Sequence, residues 1–178
     1  MSFSDAVRTC FSKYVTFSGR ATRPEYWWFV LFTILGSIVL LIVDTILFGP
    51  VQTVQQRTDF FSGETELVTT VKYSGPISGL FSLLVLIPSI SAGWRRMHDT
   101  GKSGLYLIYP LIVITGVGIA RALLLGPNGG ALGWLGGVIM WIGIFVLFIS
   151  PLLVLWWLTR PTQPGDNEYG PNPIEAHS

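Results

Sequence analysis

The sequence predicts an all-α integral membrane protein with four transmembrane helices and an N-terminal amphipathic helix at the membrane interface. Half of the 178 residues are hydrophobic and only 12% are charged, about half of the roughly 25% found in soluble domains. Four apolar runs each reach the roughly 18 residues at which a helix becomes able to cross a bilayer. This composition, with its single cysteine, excludes a soluble globular enzyme, a disordered chain and a disulfide-stabilised scaffold.

Only two formally charged residues lie within the four predicted spans. The spans are residues 26–48, 77–94, 105–125 and 134–158. They leave a polar N-terminal segment (1–25), a long first loop (49–76) and a proline-rich tail (159–178). Six of the seven tryptophans fall at predicted span ends, where an indole ring keeps its apolar body in lipid and its N–H in water.

The N-terminal segment has one apolar face at helical spacing, opposite a polar and partly basic face. The apolar face consists of Phe3, Val7, Cys10, Phe11 and Tyr14. This pattern predicts a helix, capped by Ser2 and Asp5, that lies on the cytoplasmic leaflet. The alternative is a helix of the soluble type that packs against the cytoplasmic loops.

Local signals also mark the first span, the first loop and the tail. Thr22 and Glu25 have the spacing of a capping box for the first span. Two β-favouring stretches in the first loop, Val51–Val54 and Thr65–Tyr73, are compatible with a short hairpin. One proline inside each of the second and fourth spans is expected to bend them. The tail is expected to be extended, docked or mobile, and not helical.

The distribution of basic residues predicts the orientation in the membrane. Of the 11 lysines and arginines, eight lie in the N-terminal segment, in the link after the second span and in the tail. The first loop has two, and the link after the third span has none. Because short basic loops stay in the cytoplasm, both termini are predicted to be cytoplasmic and the first loop to lie outside.

Asp44 and Arg121 are the two charged residues inside the predicted spans. Each lies four residues before the outer end of its span, so both sit at the same depth, roughly 6 Å from that end. Opposite charges at one level in hydrocarbon are expected to form an ion pair. The alternatives are that they snorkel towards the outer headgroups, or that they form a gate or a proton-linked site.

The predicted topology brings charged residues of three segments to the cytoplasmic side. The candidates for binding lipid headgroups or other anions are Arg20, Arg23, Arg95, Arg96 and Lys102. The candidates for a structural charge network are Glu25, His98, Asp99, Asp166 and Glu168. Three roles stay open for this set: a network that ties the loops to the tail, binding of anionic headgroups, and catalysis.

Other motifs carry little chemistry. Gly129, Gly133 and Gly137 repeat a spacing that lets membrane helices approach closely, which suggests association between copies, although glycine is common in membrane helices in any case. No catalytic set, metal site or cofactor motif is predicted, and the net charge of +1 gives no reason to expect nucleic-acid binding.

Three segments carry a resemblance to a known family. Gly19–Phe29 matches the pattern G-R-x-x-R-x-E-Y-W-W-F, and Arg95–Gly104 matches R-R-x-H-D-x-x-x-S-G. Asn167–Pro173 matches N-R-Y/F-G-P-x-P, except that Glu168 replaces the arginine. On these residues the chain resembles the YhaH/YhaI-type family of small bacterial inner-membrane proteins, domain of unknown function 805. The resemblance implies a multi-pass protein of the bacterial inner membrane with no established activity.

The sequence therefore predicts a non-enzymatic inner-membrane protein whose charged cytoplasmic face binds lipid headgroups or an unknown protein partner. Two alternatives stay open. A small transporter or channel subunit would need to form oligomers, because four short helices leave little room for a pore. A membrane enzyme acting on a lipid-linked substrate would require catalytic residues among His98, Asp99 and Glu25.

Overall fold

Five α-helices and one β-hairpin make up most of the described chain. The computed structural model describes residues 1–58, 65–73, 75–124 and 133–175. The helices are α1 (Phe3–Ser12), α2 (Arg23–Phe48), α3 (Pro76–Asp99), α4 (Tyr109–Leu124) and α5 (Gly133–Thr159). Strands β1 (Val51–Thr58) and β2 (Thr65–Lys72) connect α2 to α3, and a 3-10 helix over Gly104–Ile108 precedes α4.

The first two helices begin where the sequence supplies a capping side chain. Ser2 Oγ accepts the N–H of Asp5 at 3.2 Å and the Asp5 carboxylate accepts the N–H of Ser2 at 3.2 Å, which confirms the predicted capping box of α1. In α2, Thr22 Oγ1 accepts the N–H of Glu25 at 3.4 Å. The Glu25 carboxylate pairs with Arg95, so the first turn of α2 is also linked to α3.

The hairpin expected in the first loop is confirmed. β1 and β2 are antiparallel, and their register pairs Val51 with Lys72 and Thr58 with Thr65. β1 extends four residues beyond the stretch whose composition favours a strand. The strand continues into polar residues because ladder hydrogen bonds to β2 satisfy the backbone.

Burial in this chain is the reverse of burial in a soluble protein. Among the most buried side chains are Arg95, Arg96, Asp99 and Asp44, whereas α2 and α5 expose leucine, isoleucine and phenylalanine along much of their length. In water these apolar side chains would stay exposed, which is energetically unfavourable. The fold is therefore stable only where hydrocarbon surrounds its apolar faces. The structure therefore supports a membrane protein independently of hydropathy.

Three helices are long and apolar enough to cross a membrane. They are Arg23–Phe48, Pro76–Asp99 and the part of α5 over Gly136–Thr159. The predicted third span contains the 16-residue α4, which is about 24 Å long at 1.5 Å per residue, and the apolar helical stretch Gly104–Ala120 is shorter than the other three. The described residues thus contain three clear candidate spans where the sequence predicted four.

α3 ends later in the structure than the sequence predicts. α3 continues to Asp99, five residues beyond the predicted end at Trp94, so the residues expected in a loop are helical. The helix continues because its last polar side chains find buried partners on other segments.

The tail is non-helical, as the sequence predicts. Residues 160–175 hold no α-helix and contain turns, with an isolated bridge between Asn167 and Gly170.

Two buried apolar clusters join the helices at one end of the bundle. One cluster is Cys10 of α1, Phe29 of α2 and Ala92 of α3. The other consists of Met97, Val154 and Leu158, from α3 and α5. These contacts place the start of α2 and the ends of α3 and α5 side by side. We call this region the polar end, defined by residues 19–25, 95–102 and 160–175.

Candidate functional site

The polar end is built around Asp99, the last residue of α3, whose side chain is completely buried. Its Oδ1 accepts a hydrogen bond from Arg20 Nε at 3.0 Å. Its Oδ2 accepts from Arg96 Nη1 and from the hydroxyl of Thr162, the latter at 2.8 Å. One carboxylate therefore joins the segment before α2, the end of α3 and the tail.

Arg20 gathers three backbone carbonyl groups of the tail. Its Nη2 donates to Gln163 O at 2.5 Å, and its Nη1 donates to Gly165 O at 2.7 Å and to Gly170 O at 3.4 Å. Both glycines have positive φ angles, 67° and 132°, which side chains rarely tolerate. The carbonyl dipoles supply the negative partial charge that a buried guanidinium needs when it shares its carboxylate.

Arg96 caps the end of α5. Its Nε donates to Leu158 O at 3.0 Å and its Nη2 donates to Arg160 O, both at the C-terminal end of that helix. Helix ends leave carbonyl groups without intrahelical partners and favour a nearby positive charge. Arg20 and Arg96 thus use all three guanidinium nitrogens on groups inside the protein.

A second buried ion pair lies between α2 and α3. Arg95 Nη1 donates to Oε1 of Glu25, and the two residues are 1% and 4% exposed. The Nε and Nη2 atoms of Arg95 are also buried, but they have no hydrogen-bond partner within the described ranges. This arginine is therefore only partly satisfied by its surroundings.

Cys10 of α1 lies against this ion pair. The thiol is fully buried, and Sγ lies 4.0 Å from the carbonyl oxygen of Glu25. Burial, assisted by the negative charge of Glu25, raises the pKa of the Cys10 thiol to about 11, against an opposite and smaller effect of Arg95. The buried thiol therefore stays protonated to a higher pH than an exposed one.

His98 holds the tail from the side of α3. Its Nδ1 lies 3.1 Å from Gly19 O and donates to it, since a carbonyl oxygen can only accept. The imidazole stacks on the ring of Tyr169, with centroids 3.8 Å apart and planes inclined by 7°. Asn167 Nδ2 adds a hydrogen bond to His98 O at 3.0 Å.

The two exposed carboxylates predicted for the network order the tail itself. Asp166 Oδ1 accepts the N–H of Asn172 at 3.4 Å. A hydrogen bond with the side chain of Glu168 raises the pKa of the Tyr169 hydroxyl. Neither carboxylate belongs to the three ion pairs found in the described residues.

Three cations of the polar end keep partly or fully exposed side chains. Lys102 Nζ lies 4.7 Å from the ring centroid of Trp157, and the guanidinium of Arg160 lies 4.9 Å from that of Trp156. Arg23 donates from Nε to Arg160 O at 2.7 Å. A shallow groove of about 310 Å³ is lined by Arg23, Pro24, Trp27, Trp28 and Leu31.

At the opposite end of the bundle, Asp44 caps α3. Its Oδ2 accepts the N–H of Ser78 at 2.7 Å and its Oδ1 accepts the N–H of Ile77 at 3.2 Å. A carboxylate at a helix N-terminus satisfies unpaired N–H groups and complements the helix dipole. Arg121 lies in α4 and its side chain is outside the described part, so its pairing with Asp44 stays a prediction.

The glycines predicted to mediate association are described only in part. Gly129 lies outside the described residues, Gly133 begins α5, and Gly137 follows one turn later. A Cβ atom at Gly137 would meet no other atom within 4 Å. This position is therefore open within a single copy of the chain.

The described residues hold no group of three or more His, Cys, Asp and Glu side chains that could bind a metal ion. Sequence reasoning identified the charged residues of the polar end but missed Thr162, Asn167 and the tail carbonyls. The tail motif Asn167–Pro173 was the available signal, because its turn-forming residues shape the segment that Arg20 holds.

Comparison with known proteins agrees with the architecture. A family model described as a protein of unknown function (DUF805) matches residues 14–171. The chain belongs to this family. The matched range contains every ion pair of the polar end, and the resemblance found on the three motifs is confirmed.

Two relatives from Escherichia coli K12 are inner membrane proteins by name. The chain is 26% identical to inner membrane protein YhaH over 160 residues, which cover 90% of this chain and 88% of YhaH. It is 32% identical to inner membrane protein YhaI over 95 residues, which cover 53% of this chain and 61% of YhaI. No solved structure matches the chain significantly. With the three apolar helices, these relatives confirm the expectation of a transmembrane protein of the inner-membrane type.

Proposed function

We propose that this protein is a non-enzymatic, multi-pass inner-membrane protein that binds anionic lipid headgroups at its polar end, which faces the cytoplasm. The observation that carries the proposal is the placement of Lys102 against Trp157 and of Arg160 against Trp156. Tryptophan rings favour the headgroup level of a bilayer, and a basic side chain near an anionic leaflet contributes about 1 kcal/mol of attraction.

Four of the five arginines of the polar end divide into two groups, which supports this assignment. Arg20 and Arg96 are buried and use their N–H groups on Asp99 and on backbone carbonyls, as a structural network requires. Arg23 and Arg160 are exposed at the edge of the network. Headgroup phosphates can reach the second group without disturbing the first.

The path of the chain supports four crossings. α3 and α5 both end at the polar end, where Arg96 contacts Leu158 O and Arg160 O. α5 has 27 residues and is about 40 Å long, so its first turn lies far from the polar end. The segment 104–124 must therefore cross between the two ends. Its 3-10 helix and α4 together extend about 34 Å, which suffices for a hydrocarbon core of about 30 Å.

The same geometry supports cytoplasmic termini. α1 and the tail both lie at the polar end, so the two ends of the described chain are on one side of the bundle. Most of the basic residues are on that side as well, and the hairpin is on the other. Basic segments are retained in the cytoplasm, which supports an outside location for the hairpin.

The burial of the acid–base candidates supports a non-enzymatic role. Glu25, His98 and Asp99 are all buried, and each is held by a partner described above. A substrate could reach Asp99 only by displacing the tail. Asp44 is likewise tied to the first turn of α3, which favours a structural role over a proton-linked one.

Lipid retention tests the proposed binding surface. The double variant Arg23→Gln/Lys102→Gln should lose on the order of 10- to 30-fold in affinity for phosphatidylglycerol, because two basic residues contribute about 1 kcal/mol each. The measurement is the lipid retained on the purified protein by native mass spectrometry. The control, Arg57→Gln/Lys72→Gln, removes the same charge from the hairpin. Equal retention by both variants would contradict the proposed surface.

Labelling of intact cells tests the proposed topology. In a Cys10→Ser background, a cysteine introduced at Gln55 in β1 should react with a membrane-impermeant maleimide, whereas one introduced at Glu168 in the tail should react only after lysis. The reverse pattern would place the polar end outside and refute the orientation.

A further inference from the structure

Arg95 presents an unused binding edge inside the protein. In a guanidinium group, the Nε–H and one Nη2 N–H point in the same direction and form the fork that binds two oxygen atoms of a carboxylate or phosphate. Glu25 accepts only from Nη1, on the other side of the group. The Nε–Nη2 edge of Arg95 is buried and has no hydrogen-bond partner among the described residues, although the thiol of Cys10, a weak acceptor, interacts with the same guanidinium. A buried charged donor in this state is costly, and it needs an acceptor that the described residues do not supply.

Helix α1 covers this edge. Cys10 is fully buried against the Glu25 backbone, and its thiol is close enough to Arg95 for the guanidinium to affect its ionisation. The segment before α2 also contacts both residues, but only through their backbones: Ala21 N–H donates to Arg95 O at 3.0 Å, and Thr22 Oγ1 accepts the N–H of Glu25 at 3.4 Å. Access to the unused edge therefore requires that α1 move.

The attachment of α1 is suited to such a movement. Its only buried residues are Ala6 and Cys10, both small. Phe3 and Phe11 make edge-to-face contacts with rings of α2, yet both remain more than a third exposed. An amphipathic helix of this kind can transfer its apolar face from the bundle to the surrounding lipid interface.

We propose that Arg95 is a second anion site, which binds a phosphate oxyanion through Nε and Nη2 when α1 lifts from α2 and α3. The inference rests on the proposed function for its ligand class, because anionic headgroups bring phosphate groups to the polar end. Free phosphate carries the same chemistry and is the alternative source. Bound phosphate would supply the two acceptors that Arg95 lacks while Glu25 keeps Nη1.

The single cysteine of the chain reports the position of α1. While α1 is seated, burial and the raised pKa of Cys10 keep the thiol slow to react with a maleimide. The full-length protein is placed in nanodiscs of phosphatidylcholine alone, or of phosphatidylcholine with phosphatidylglycerol. We expect phosphatidylglycerol to accelerate labelling of Cys10 at least about tenfold. A ligand that raises the equilibrium constant between lifted and seated α1 about tenfold would increase the labelling rate by the same factor. A second arm adds inorganic phosphate to the phosphatidylcholine discs, and acceleration there instead would identify free phosphate as the source.

Two variants test whether the acceleration depends on the fork of Arg95. Arg95→Lys keeps a positive charge for Glu25 but has no fork, so phosphatidylglycerol should no longer accelerate labelling. Arg57→Gln removes one positive charge from β1, at the opposite end of the bundle, and should keep the acceleration. If Arg95→Lys does not fold, the wild-type comparison decides alone.

Equal labelling of the wild type in both discs and in phosphate overturns the inference, as does a normal response of folded Arg95→Lys. Lipid retention measured on Arg23→Gln/Lys102→Gln is independent of Cys10. Failure of that measurement would overturn the proposed function and would be distinguishable from failure here.

Discussion

Replacing Asp99 with asparagine tests whether one buried carboxylate holds the polar end together. Asparagine keeps the shape of the side chain but removes the charge that Arg20 and Arg96 share. Both carboxylate oxygens of Asp99 accept hydrogen bonds in the structure. The amide nitrogen of asparagine can only donate, so it would face another donor in either orientation of the side chain. The substitution therefore breaks two buried ion pairs without creating a cavity.

The expected loss of stability is large. Removing one partner of a buried ion pair costs about 3–5 kcal/mol. Asp99 serves two buried guanidinium groups, although the carbonyls around Arg20 and Arg96 offset part of the loss, so the same range applies to the variant. In a chain of this size each kcal/mol lowers the unfolding midpoint by about 2–4 °C, which predicts a decrease of about 6–20 °C.

Thermal unfolding in one nanodisc composition provides the assay, with limited proteolysis of the tail as a second readout. The control is Asp166→Asn, the same chemical change at an exposed aspartate of the tail, which should shift the midpoint by no more than about 2 °C. In the Asp99→Asn variant the tail should become sensitive to protease below the midpoint. A midpoint no lower than that of the control would refute the role assigned to Asp99.

Two further predictions concern the opposite end of the bundle and α1. Gly75→Ala should destabilise the protein by about 1–3 kcal/mol, because a Cβ atom at this N-cap position would lie 2.2 Å from Asp44 Cγ. The control Gly79→Ala, inside α3, has no neighbour within 4 Å and should not lower stability in the same unfolding assay. Folding raises the thiol pKa of Cys10 from 9.0 to about 11, so the unfolded chain releases the proton first and stability should fall as the pH rises through this window. Cys10→Ser should remove that dependence in pH-dependent unfolding, and an unchanged slope would count against a buried thiol.

Features that depend on neighbouring residues could be predicted from the sequence. The cap of α1 by Ser2 and Asp5 follows from residues three positions apart, and the hairpin follows from two β-favouring stretches close together in the chain. The long apolar helices follow from run length alone. Which charged residues gather at the polar end also followed, because the order of spans assigns each loop to a side.

Partners could not be predicted, because depth along a helix says nothing about the direction in which a side chain points. Asp44 was placed at the correct end of its helix, yet the N–H groups that it accepts belong to the first turn of α3, 33 and 34 residues away. The end of α3 at Asp99 was missed for a similar reason. A run of polar residues indicates a loop unless buried partners elsewhere in the fold allow it to remain helical.

The sequence by itself determined that much of this protein is surrounded by lipid hydrocarbon. Run length and composition are properties of single segments, and they decide whether a helix is stable in lipid or in water. Only the tertiary structure decided that Arg20 and Arg96 share Asp99 while Arg95 keeps an unused edge. Those outcomes depend on helix rotation and on the path of a tail that reaches Arg20 from up to 150 residues away. Which buried charges pair at such separations depends on their positions in the folded structure, and a local sequence pattern does not contain that information.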